Sequence, residues 1–94
     1  MKLNPEIQQS IIDLAKEHGI GKVILFGSRA RGDCRERSDI DLAIQGGDTL
    51  RFSLDVEEKV PTLLFFDVVD LDASVQPELL ESIKREGITL YEKI

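Results

Sequence analysis

The apolar run Val23-Ile24-Leu25-Phe26 passes directly into Gly27-Ser28, and after a short arginine-rich loop comes Asp39-Ile40-Asp41-Leu42. Lys22 to Phe26 reads as a buried strand, and the alternation of charged and apolar residues from Asp39 to Ile44 reads as a second. Side chains two apart on a strand share a face. Asp39 and Asp41 are therefore expected to project together, while Ile40, Leu42 and Ile44 bury the opposite side. Two converging carboxylates repel each other unless a cation lies between them. A hard ion such as Mg²⁺ takes one or two carboxylates plus phosphate oxygens, and a turn of small residues presents backbone N–H groups to phosphate. The pattern implies a metal and nucleotide site carried by two strands.

The remaining chain supplies elements to support such a site. Asn4 before Pro5 reads as a helix start, with Ile7, Ile11, Leu14, Ala15 and His18 at helical spacing and Gly19 as the stop. Gly27 to about Gly32 forms a turn and a short second helix. A third helix is expected over Leu50 to Val60, ended by Pro61, and Leu63 to Val69 is expected as a buried strand. Pro77 opens a last helix with Leu79, Leu80 and Ile83 toward the core, Gly87 ends it, and Ile88 to Tyr91 closes as a strand. The fold class is α/β (α+β), a mixed sheet with helices packed against it, in one domain spanning residues 1–94.

Ninety-four residues suffice for one modest core and leave no room for a second substrate-binding domain. The net charge of −6 argues against nucleic acid as a direct partner, since phosphate backbones reward Lys and Arg. A small nucleotide or a basic protein fits better. The single cysteine, Cys34, excludes an internal disulfide and suits a reducing compartment, and no His flanks it as an activating base. With no signal peptide and no run of membrane-spanning length, the expected location is the cytoplasm, with no membrane partner.

Gly27-Ser28-Arg29-Ala30-Arg31-Gly32 followed by Ser38-Asp39-Ile40-Asp41-Leu42 closely resembles the signature of the DNA polymerase β-like nucleotidyltransferase superfamily. The length and the form of the motif are similar to those of its minimal members, which are typically encoded beside a small helical HEPN-domain protein. The resemblance runs from the first helix to the last strand. It implies two Mg²⁺ ions, or Mn²⁺, held by three carboxylates, and transfer of a nucleoside monophosphate from ATP or another NTP. Asp39 and Asp41 would be the first two ligands, and Gly27 and Ser28 would hold the triphosphate.

Asp67 is the expected third ligand. It stands in the apolar stretch Phe66-Asp67-Val68, where an unpaired buried carboxylate costs several kcal/mol, and the resembling family has its third carboxylate in a similar strand. Asp70 is the rival. Three residues on, it should point to the opposite face, and Asp70-Leu71-Asp72 lacks an upstream Gly-Ser turn, so it reads as solvated or capping. Ser28 also suits a helix N-cap, a role compatible with phosphate binding. Arg29 and Arg31 lie within the motif and are expected at the phosphates. Arg35 and Arg37 read as a solvated loop pairing with Asp33 and Glu36, and His18 as a helix-end residue that ligates nothing.

The resemblance further implies adenylylation of a tyrosine of a HEPN-type toxin, which would make the chain the antitoxin of the pair. Asp67 would stand on the nucleophile side as general base. An alternative from a different class is a non-catalytic subunit that neutralises a HEPN protein by binding alone, against which the three carboxylates argue. A metal-dependent glycosyltransferase using Asp-x-Asp is disfavoured by length. Self-association is left open.

Overall fold

The computed structural model describes residues 1–94. Its strands are β1 (Lys22–Phe26), β2 (Ile40–Gln45), β3 (Phe66–Asp70) and β4 (Ile88–Glu92), in the spatial order β3-β2-β1-β4. Strand β1 runs antiparallel to both β2 and β4, whereas β2 and β3 are parallel, so the sheet is mixed. A parallel pair needs a crossover. Helix α3 (Thr49–Lys59) supplies it, opened by Asp48, whose side chain accepts from the Arg51 N–H. Helix α1 (Pro5–Glu17) starts as expected, with the Asn4 side chain accepting from the Glu6 N–H at 2.8 Å.

Strand alternation sorts the apolar residues into two layers. Val23, Leu25, Ile40, Leu42 and Ile44 pack with Ile11, Leu14 and Ala15 of α1 and Phe52 and Val56 of α3. The other face is thinner: Phe26 and Ala43 meet Ile83 of α4 (Pro77–Glu86), with Ile24, Val69, Leu71 and Leu79 around them. Asp41 and Asp67 alternate with the residues of the thick layer and so belong to the thin one.

The third strand is shorter than its sequence suggests. Leu63 is 100% exposed and Phe65 71%, and the ladder begins only at Phe66, opposite Ile40. Pro61 and a turn held by the Thr62 hydroxyl, which accepts from the Leu64 N–H, keep the segment out of the sheet. Strand β3 is also an edge, with no second neighbour to extend it. The Glu57 carboxylate instead accepts the Phe66 N–H at 3.0 Å.

Candidate active site

The chain leaves β1 through Gly27, whose φ of 75° and ψ of −157° belong to a region that glycine alone occupies comfortably. Helix α2 (Ser28–Arg31) follows at once, and Gly32 closes it in the left-handed conformation. Gly27 rather than Ser28 holds the N-cap position. Its carbonyl accepts from Ala30 and Arg31, which leaves the N–H groups of Ser28 and Arg29 without a protein acceptor. Those donors are available to an anion.

Strand pairing centres the acids on Asp41. It lies opposite Phe26 in β1 on one side and opposite Asp67 in β3 on the other. A Cβ at Gly27 would collide with Asp41 Oδ2, so the turn is packed directly on this carboxylate. Asp39 precedes the strand and is exposed. Burial, then the charges of Asp67 and Asp39, push the Asp41 carboxyl up from 3.8 to about 6, with Arg31 and Arg29 offsetting part of the rise. A half-buried acid beside two others is a group short of positive charge. The donor set thus fits hard divalent cations.

Asp67 corrects one part of the sequence reading: it is exposed, so it carries no burial penalty of its own. The desolvation falls on Asp41, which has strands on both sides, while Asp67 stands on an edge. Asp70 points the other way. It accepts from the Thr49 hydroxyl at 3.1 Å and from the Asp72 N–H at 2.9 Å, while Asp72 accepts from the Gly46 N–H at 2.8 Å. The second Asp-x-Asp therefore braces the connection from β2 to α3.

Arg29 departs from the expected phosphate contact. It is buried, and its guanidinium donates to the carbonyls of Ser38, Glu36 and Lys2 at 2.9–3.1 Å. It clamps the loop that delivers Asp39. Arg31 remains on the surface, paired with Glu86 of α4 at 2.8 Å and Asp33 at 3.1 Å, and close enough to lower the Asp41 pKa. Arg35 and Arg37 do not take the expected partners, because Asp33 is held by Arg31. The sequence offered no signal for Glu86, which comes from a distant helix.

His18 ends α1 as expected, and its ring also lies 2.7 Å from Asp55 of α3. Glu17, His18 and Asp55 cluster there, but Lys59 Nζ at 3.3 Å already supplies Asp55 with a cation. None of the four surface cavities is lined by Asp39, Asp41 or Asp67. These acids stand on an open face.

A strand, a glycine turn and a short helix thus meet, at one end of a mixed sheet, a strand that carries Asp41, with Asp39 just before it and Asp67 on the strand beside it. A family profile described as "Polymerase beta, Nucleotidyltransferase" matches residues 9–94. The chain belongs to the polymerase β nucleotidyltransferase family. Enzymes of this family generally use divalent metals. Two relatives from Methanocaldococcus jannaschii agree. The "Putative protein adenylyltransferase MJ0435" is 32% identical, over 94% of this chain and 97% of its own length. The similarly named MJ0604 is 46% identical over 82 residues, covering 77% of this chain and 79% of its own.

Among solved structures of this nucleotidyltransferase fold, a "putative minimal nucleotidyltransferase" superposes with a TM-score of 0.67 at 33% identity, covering 86% of each chain. A mutant of the toxin–antitoxin MntA-HpeT gives a TM-score of 0.74 at 26% identity, over 97% of this chain and 75% of that one. No helix of the present structure is long and apolar enough to cross a membrane.

Proposed function

We propose that residues 1–94 act as one nucleotidyltransferase domain, in the cytoplasm, that transfers AMP from ATP to a hydroxyl of a protein partner. The register that sets Asp41 beside Asp67, with the Gly27 turn packed on Asp41, carries this reading. Names of the relatives support the protein acceptor, and the MntA-HpeT likeness supports a toxin as partner, a HEPN-domain protein on the sequence resemblance. The chain would then be the antitoxin.

Asp39, Asp41 and Asp67 would hold two Mg²⁺ ions. When bound, the ions supply the positive charge that an in-line displacement at the α-phosphorus needs. The free amides of Ser28 and Arg29, with the Ser28 hydroxyl, orient the β- and γ-phosphates over the turn. Arg31 adds a cation beside them, and Glu86 fixes its direction. Buried Arg29 positions Asp39 through the loop. The acceptor oxygen bonds to the α-phosphorus, the bond to the β-phosphate oxygen breaks, pyrophosphate leaves, and the hydroxyl proton passes to the Asp67 carboxylate.

Incubation of the chain with its HEPN-domain partner, Mg²⁺ and labelled ATP tests this reading. Label from the α-position is expected on the partner, and label from the γ-position in pyrophosphate. A partner labelled from the γ-position would identify phosphoryl transfer instead. Tight complex formation with no label from either position would favour neutralisation by binding alone.

A further inference from the structure

The spatial order of the strands assigns a direction to the reaction. The Gly27-Ser28 turn follows β1, Asp41 is on β2 and Asp67 is on β3, so the groups proposed for the triphosphate and for the third ligand stand on opposite sides of Asp41. In an in-line displacement the attacking oxygen and the leaving pyrophosphate lie on opposite sides of the phosphorus. The acceptor must then approach over β3. What lies just past Asp67 on that side is the exposed apolar segment that the sheet excludes.

Phe65 continues the β3 direction by one residue, its carbonyl accepting from the Ile40 N–H at 2.9 Å. It stands two residues before Asp67, just ahead of the strand's first residue. The ring is 71% exposed and Leu63 is 100% exposed, and both line a shallow cavity of about 450 Å³ with Glu36, Arg37, Thr62 and Leu64. Two adjacent, large, solvent-facing apolar side chains beside a reaction centre are a recognition feature more than a folding one. Exposed Asp39 precedes Ile40, whose N–H donates to Phe65, and exposed Asp67 follows two residues on. Glu57 accepts from Phe66 and Glu36 lines the cavity, so four acids surround the patch against the one cation Arg37. The surface therefore suits a neutral or basic peptide segment and repels an anionic one.

We infer that Leu63 and Phe65 form the docking surface for the acceptor protein, gripping an apolar side chain next to the hydroxyl that receives AMP. The inference rests on the transfer reading above and adds which surface selects the acceptor. Its occupant is a protein segment. A nucleobase stacked on Phe65 is the competing outcome.

The test uses the full chain, a HEPN-domain protein of the partner class proposed above as probe, and the variants Phe65→Ala and Leu63→Ser, with Leu54→Ala on α3 as a remote control. Affinity for the probe, measured without nucleotide, is expected to fall about tenfold in each of the two patch variants and to change less than about twofold in the control. In the transfer assay the acceptor KM should rise by a similar factor while the KM for ATP stays. A photo-crosslinker at position 65 should capture the same peptide of the probe that carries the AMP.

A raised KM for ATP with unchanged probe affinity would overturn the inference in favour of base stacking. Unchanged values of both would show that the patch is not used. If wild-type chain transfers nothing, the transfer reading fails on its own. Lost probe affinity in the variants would then still establish the surface as the partner site, and unchanged affinity would remove it as well.

Discussion

The carboxylate of Asp41 rests on the backbone of Gly27 so closely that no side chain fits between them. A local feature of β1 and a local feature of β2 thereby become one site, joined through the register of Phe26 with Asp41.

Gly27→Ala is expected to fail twice over. Its φ of 75° with ψ of −157° costs a side-chain-bearing residue roughly 1–3 kcal/mol, and the new methyl would push Asp41 aside. Urea unfolding should show the loss of stability, and α-label transfer should fall by at least about a hundredfold. Near wild-type transfer would mean that the Gly27 to Asp41 contact has no part in the chemistry.

Asp41→Asn separates stability from activity. The folded carboxyl titrates near 6 against 3.8 for the ordinary group, so between these values the folded state binds more protons than the unfolded one. Stability of the metal-free protein therefore falls as pH rises from about 4 to 6. Asn removes that slope and should stabilise the apo protein at pH 7 by about 1 kcal/mol, a value reduced for solvent screening. Transfer should drop by about a thousandfold or more. Melting curves across pH in the presence of EDTA, with and without the substitution, check the slope.

Asp67→Asn and Asp70→Asn should rank oppositely in two assays. Asp67 is exposed on the edge strand, so its loss leaves stability nearly unchanged and abolishes transfer. Asp70 holds the Thr49 hydroxyl and the Asp72 N–H, so its amide variant should lose about 1 kcal/mol of stability and keep most activity. A reversed activity order would put the third ligand on the other face of β3.

Arg29→Ala and Arg31→Ala should also part company. Removing Arg29 leaves the carbonyls of Lys2, Glu36 and Ser38 without their donor, an expected loss of roughly 2–3 kcal/mol by chemical denaturation. Arg31 is on the surface, so its removal should spare the fold and raise the KM for ATP. Equal melting temperatures for the two variants would contradict the clamp assigned to Arg29.

The order of elements, the cap at Asn4 and the left-handed stop at Gly19 were legible in the chain because they follow from local alternation and turn chemistry. So was the family, since Gly27-Ser28 and Asp39-Ile40-Asp41 keep a short, fixed relation. Tertiary structure alone decided the rest. Which strand stands beside β2, and in what register, set Asp67 opposite Asp41, and the edge position of β3 left Asp67, Leu63 and Phe65 in solvent where composition suggested burial. Arg29 and Arg31 are two residues apart with the same side chain, yet one is enclosed by a loop and the other meets Glu86. Burial and partnership are properties of what packs against a residue, and local spacing does not contain them.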